Sequence, residues 1–160
     1  MTGRREAQPI TIRKARPADV DQVCELLFGL KTMYGSCVEQ TLDAFRERYA
    51  PAIGTVLNSM TNVVWVAEES AGTLVAFLST TRRLALRLGG EVGVLEEVFV
   101  RPTHRRQGIA FQLWRRAMEE LRSQGVKTVE VVTSLAHPGQ REFAKKIGLE
   151  WYASIHRVQL

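Results

Sequence analysis

The stretch that most constrains this chain is Leu95 to Ala110, LEEVFVRPTHRRQGIA, where an apolar run passes through a short basic turn into a long amphipathic segment. A strand that feeds a helix in this way builds an anion site. The N–H groups at a helix N-terminus lack intrahelical partners, and the positive end of the helix dipole favours a phosphate. Gly108 lets the backbone approach where a side chain would block it. Arg105 and Arg106 add charge. The read-through has neither the lysine of a P-loop nor the three glycines of a dinucleotide fingerprint, so the ordinary nucleotide-binding readings lose support.

The flanking sequence fits one sheet with helices packed on it. Ile10 and Ile12 alternate with polar residues as a half-buried strand does, and Pro17 with Asp19 sits where a helix would start. Val20, Val23, Cys24, Leu27, Leu30 and Tyr34 form one helical stripe, closed by Gly35. A second helix is expected from about Glu39 to Leu57 through Leu42, Phe45, Tyr49, Ile53 and Leu57, broken or kinked at Pro51 and Gly54. Val63 to Ala67 and Leu74 to Thr80 read as an antiparallel hairpin around Ser70 to Gly72. After a break at Gly89 and Gly90, the pattern predicts a strand over Val92 to Val100 and a helix over Arg105 to Arg122 stopped by Gly125. A strand over Val126 to Thr133, a short helix from Pro138 to Ile147 ended by Gly148, and a last strand or hairpin over Trp151 to Leu160 complete the order. Residues 1–9 read as a polar leader, and 10–160 as a single α/β domain.

Composition narrows the partners without choosing one. The 22 Lys and Arg against 17 Asp and Glu leave a formal charge of +5, which steers any anion toward the surface. These residues are scattered, with no aromatic-basic interleaving, which argues against nucleic acid. No apolar stretch approaches the length needed to cross a bilayer, and nothing near the N-terminus has the makeup of a signal peptide. Cys24 and Cys37 lack metal-clip spacing and are too few for a disulfide framework, so a reducing cytoplasm is expected. His104 and His156 have no second ligand at metal spacing, and no metal is expected. Cys24, Trp65, Trp114 and Trp151 fall on buried stripes and read as packing.

Arg105 to Ala110, RRQGIA, resembles the pyrophosphate loop of the GNAT superfamily of acetyl-CoA-dependent N-acetyltransferases, in which Gln or Arg is followed after two residues by Gly and then, one residue on, by Gly or Ala. Phe99, Val100 and Pro102 precede it as they do in that family. Ile10 to Asp19, ITIRKARPAD, is similar to a common opening of the family, and Phe143 to Leu149, FAKKIGL, resembles its penultimate helix with Leu149 in place of the usual Phe. The resemblance implies a mixed, mostly antiparallel sheet of about six to seven strands with helices on both faces, splayed where acyl-CoA enters. It further implies that the backbones of Val98, Phe99 and Val100 pair with the pantetheine arm. The amides of Gln107, Gly108, Ile109 and Ala110 would hold the pyrophosphate beside Arg105 and Arg106. Direct transfer of acetyl from acetyl-CoA to an amine would follow in the gap between strands 95–100 and 128–133. A homodimer is also common in the family, whose last strands often pair between subunits.

Transfer needs a base, because an ammonium group cannot attack a thioester. Glu97 and Glu96 are the candidates. Neighbours on a strand face opposite ways, so only one should point into the cleft unless a bulge intervenes; acidic residues at the matching place in some aminoglycoside-acetylating relatives favour Glu97, whereas relatives acting on other amines suggest the Glu96 side. The pattern departs from the family at two places. Ala144 stands where many members carry a Tyr that protonates the leaving thiolate, and His137 replaces an Asn that often starts that helix and is counted among the cofactor-binding residues. His137, Tyr34, Tyr152 or water are substitutes for the acid. The departure also leaves open a CoA-binding regulatory or scaffold domain without turnover. The acceptor amine carries no signature: a polyamine, an aminoglycoside, an amino acid and a protein terminus all fit.

Overall fold

A computed structural model of the chain describes residues 9–132 and 138–150. The chain divides after Glu130 into two compact units. The first unit is built on a sheet in which the strands lie in chain order, β1 (Ile10–Lys14), β2 (Asn62–Glu69), β3 (Leu74–Ala85), β4 (Gly90–Val100) and β5 (Thr128–Val131). The first three pairings are antiparallel. Five strands are therefore formed among the described residues, fewer than the six to seven expected. The sixth and seventh rested on Trp151 to Leu160, which lies outside the described residues, as does the leader up to residue 8.

The first helix starts as the sequence reads. Pro17 presets a single 3-10 turn, Pro17–Asp19, before α1 (Val20–Met33). Asp19 is 6% exposed. Its carboxylate accepts the Arg16 N–H at 2.6 Å and the Arg13 guanidinium at 2.7 and 3.0 Å. The Arg13 hydrogen bond holds this carboxyl below the usual Asp range, against the opposing effect of burial. Arg13 also reaches Glu68 at 2.5 Å, which ties β1, β2 and the entry to α1 into one cluster.

The second helix corrects an expectation. It runs without a break as α2 (Leu42–Leu57), with Pro51 inside it. Thr41 Oγ1 caps its start by accepting the Ala44 N–H at 3.3 Å, and the Asn58 side chain caps its end by donating to the Gly54 carbonyl at 2.8 Å. Pro51 removes one intrahelical bond, a cost of about 3 kcal/mol. Burial of Phe45 and Ile53 offsets it, at about 1.5–3 kcal/mol for each side chain. Phe45 also stacks on Tyr49 at 4.0 Å and meets Phe28 edge-on at 5.3 Å.

Helices α1 and α2 cover one face of the sheet through Val23, Leu26, Leu30 and Ile53 packed on Val64, Val66, Leu74, Phe77 and Phe99. Leu74 joins Phe77 on this face because β3 carries one extra residue opposite Ala67 and Glu68, which interrupts the alternation. The helix approaches β4 at Gly29, where an added Cβ would lie 3.0 Å from the tip of the Phe99 ring. On the opposite face, α3 (Ile109–Ser123) buries Ile109, Leu113, Ala117, Met118 and Leu121. Gly93 of β4 makes room for Leu121, since a Cβ there would lie 2.8 Å from a Leu121 methyl. Trp114 is half-buried, and Cys24 is fully buried in the α1 core.

The second unit contains α4 (Pro138–Lys146), one residue shorter than expected, ended by Gly148 at a φ of 75°. Ala144 accepts the Leu149 N–H at 3.0 Å in the closing turn.

Candidate active site

The polypeptide leaves β4 through a loop that is held from both sides. The Arg101 N–H donates to the Val75 carbonyl at 2.9 Å, its Nε to the Leu74 carbonyl at 3.0 Å, and a terminal nitrogen to Glu25 of α1 at 2.9 Å. Glu25 also receives Arg46 of α2 at 3.4 Å. A 3-10 turn, Pro102–His104, follows, with His104 Nε2 lying 2.8 Å from Glu69. The helix expected from Arg105 does not begin there. Arg106 and Gly108 both take the left-handed conformation, at φ 62° and 77°, and α3 starts only at Ile109. Arg and Gln favour helix, so nothing in residues 105–107 announces this turn except the glycine that follows.

This geometry leaves the start of α3 open on its outer side. The first intrahelical bond is Gln112 N–H to the Gly108 carbonyl at 3.0 Å, so the N–H groups ahead of it have no carbonyl of the helix to bind. A Cβ at Gly108 would meet no atom within 4 Å, while Arg106 and Gln107 are exposed beside it. Main-chain donors, a positive dipole end and a nearby arginine fit a pyrophosphate. Arg105 is turned differently. Its Nε donates to the Val100 carbonyl at 3.1 Å, a terminal nitrogen reaches Met33 Sδ at 3.1 Å, and the guanidinium lies 5.8 Å from the Phe99 ring centre. This arginine braces the exit of β4 against α1.

The backbone of β4 divides by parity. Because the Arg101 N–H points at Val75, the alternation of an antiparallel ladder directs the N–H and C=O of Phe99 toward β3. Those of Val98 and Val100 point the other way, which agrees with the Val100 carbonyl receiving Arg105. Of the three residues expected to meet a pantetheine arm, Val98 and Val100 turn backbone groups to that side. Phe99 contributes its ring to the core.

The pairing also shifts at the two glutamates. Ser79 lies opposite Glu97 and Thr80 opposite Leu95, so Glu96 is an inserted residue with no partner on β3. This bulge is the condition under which consecutive carboxylates escape the alternation of a strand. Glu97 shares the face of Phe99, the side covered by α1 and α2, and is half-buried. Ser79 Oγ donates to the Glu97 carboxylate and accepts the Glu97 N–H at 3.2 Å. Glu96 is exposed. Partial desolvation, then the charge of Glu97, push its carboxyl above the usual Glu range, with Arg83 acting in the opposite direction. Sequence reasoning missed Ser79, whose only signal is that it opens a run of three hydroxyl residues, Ser79, Thr80 and Thr81, after the apolar first half of its strand. His137 lies outside the described residues.

Among the described residues, no group of three or more His, Cys, Asp or Glu is placed to hold a metal ion. No helix among them is long and apolar enough to cross a membrane.

No curated protein sequence matches this chain. Solved structures do resemble it. A transcriptional regulator from Bacillus halodurans C-125 superposes with a TM-score of 0.82 at 21% identity, covering 95% of this chain and 100% of its own. An aminoglycoside N-acetyltransferase in complex with CoA gives 0.76 at 19% identity, with 98% and 97% covered. A ribosomal-protein-alanine N-acetyltransferase from Brucella melitensis biovar Abortus 2308 gives 0.72 at 15% identity, with 95% and 100% covered. At these identities the likeness speaks for a mixed α/β fold, while the sequence itself carries the kinship. Residues 30–149 match the acetyltransferase (GNAT) family, whose members use acetyl-CoA, and the chain therefore belongs to that family.

Proposed function

We propose that this protein transfers the acetyl group of acetyl-CoA directly to a primary amine, with Glu97 as the leading general base and Glu96 as the second candidate. The observation that carries the reading is the bulge in β4. It frees two adjacent carboxylates from strand alternation, on the strand that leads through one loop to a helix N-terminus suited to a pyrophosphate. The amides of Gln107, Gly108, Ile109 and Ala110 would hold the pyrophosphate, with Arg106 adding charge. The outward backbone groups of Val98 and Val100 would pair with the pantetheine arm.

In the reaction the carboxylate takes a proton from the ammonium group. The free amine forms a bond to the thioester carbon, and the carbon–sulfur bond breaks. The leaving thiolate then takes a proton, from water or from one of the side chains that stand in for the Tyr replaced by Ala144. The acceptor belongs to the proposal only as a class, since structural neighbours named for aminoglycosides and for a ribosomal-protein alanine share the fold. A reducing cytoplasm, in keeping with the free thiols of Cys24 and Cys37, and a homodimer belong to the same reading.

The test is calorimetric titration with acetyl-CoA, followed by thiol release over sisomicin, spermidine and an alanyl peptide. Binding with release for one amine supports the reading and names the acceptor class. Absence of binding refutes it, and binding without release for any amine refutes turnover.

A further inference from the structure

We propose that Ser79 is a positioning residue for transfer, holding the Glu97 carboxylate and the β4 bulge in place through a reciprocal pair of hydrogen bonds. This rests on Glu97 acting as the base. A bulge is a local weakness in a ladder, because the inserted residue has no cross-strand partner and the bonds on either side of it are strained apart. At this bulge the residue opposite Glu97 is Ser79, and its hydroxyl bonds twice to the same residue. It accepts the Glu97 N–H at 3.2 Å and donates to the Glu97 carboxylate.

The consequences differ for the two glutamates. The N–H bond fixes where the regular ladder ends, and so which residue, Glu96, is expelled from it. The carboxylate bond fixes the rotamer of Glu97. A base serves only if its oxygen stays within hydrogen-bond reach of the proton it removes, and a Glu has three rotatable bonds to lose before it does. Among the described residues, no other side chain hydrogen-bonds or ion-pairs with Glu97. The neighbouring hydroxyl, Thr80, is turned to the Val63 carbonyl at 3.5 Å and does not share the task.

The experiment compares Ser79→Ala, Ser79→Thr and Glu97→Gln with the unaltered protein, using acetyl-CoA and whichever of sisomicin, spermidine or the alanyl peptide is turned over fastest. Ser79→Ala is expected to lower kcat about tenfold, the value of one hydrogen bond to a charged acceptor, with the affinity for acetyl-CoA unchanged. Ser79→Thr keeps the hydroxyl and should restore the rate. If Ser79→Ala fails to fold, Ser79→Cys, close in size and a weaker hydrogen bonder, takes its place. An unchanged kcat in Ser79→Ala, with Glu97→Gln inactive, overturns the role of Ser79 alone. A fully active Glu97→Gln overturns the choice of base and the role of Ser79 with it.

Discussion

Helix α3 is flanked by two left-handed glycines, and that symmetry isolates the contribution of the loop to cofactor binding. Gly108 precedes the helix at φ 77° and Gly125 follows it at φ 82°, and a Cβ at either would meet no atom within 4 Å. Replacement by Ala therefore introduces no clash at either end. What it introduces is the strain of an L-residue in the left-handed region, about 1–2 kcal/mol. For a chain of this size that corresponds to a fall in Tm of about 2–8 °C. Gly108→Ala and Gly125→Ala should show it alike by thermal unfolding. Their affinities for acetyl-CoA should not be alike. The methyl at Gly108 stands on the surface a pyrophosphate would approach, at the amide end of the helix, whereas Gly125 lies at the carbonyl end. Calorimetric titration should give a dissociation constant raised about tenfold for Gly108→Ala, the loss of one charge-assisted bond, and no change for Gly125→Ala. Equal losses at both ends would show that affinity follows stability and that the start of α3 is not the anion site. Unchanged affinity in Gly108→Ala would put the pyrophosphate elsewhere.

Two further outcomes concern charge. Asp19→Asn should destabilise the fold by about 2–3 kcal/mol at pH 7, since Arg13 and the Arg16 N–H lose a charged acceptor in a buried place. The folded carboxyl titrates below its unfolded value, so its contribution is complete above about pH 4 and disappears as pH falls through the folded value; unfolding curves of the two proteins should converge in acid. Glu96→Gln should act in the opposite sense. Its carboxyl is raised in the folded state, chiefly by desolvation, so the ionised form is a burden above the usual carboxylate range. The variant should melt higher at pH 7, with the advantage shrinking as pH is lowered; a constant advantage across pH would show that charge is not its cause.

The parts of the fold set by periodicity were readable from the chain. The apolar stripe of α1, the hairpin around Gly72 and the amphipathic run of α3 each repeat one signal many times, so single ambiguous residues do not alter the reading. The errors fall where one residue was taken to decide. Pro51 and Gly54 were expected to break or kink α2, yet the helix is unbroken, because burial of Phe45 and Ile53 offsets the hydrogen bond and local clash that the proline costs. Arg105 to Gln107 were read as the start of the amphipathic helix that runs to Arg122, yet Arg106 at φ 62° belongs to the turn before it.

The candidate site was legible in a different measure. The loop announces itself through Gly108 and the basic pair beside it. The bulge does not, because Glu96 and Glu97 are the same residue type and only the partner strand reveals which of them is inserted. Ser79 is further out of reach, being 18 residues away in sequence. A hydroxyl in a strand has no meaning until the residue opposite is known.

The contact at Gly29 has a consequence for acceptor choice. Helix α1 rests on the Phe99 ring at a point where it carries only a hydrogen, and a methyl there would already stand 3.0 Å from the ring. The missing side chain lets α1 settle directly on the ring of Phe99, two residues along the strand from Glu97. A larger residue there would force the helix and the ring apart by a few tenths of an ångström or more, and so shift the packing beside the carboxylate. In the transfer proposed above, the room in front of Glu97 would thus be adjustable from Gly29, a position on α1 that packs against Phe99.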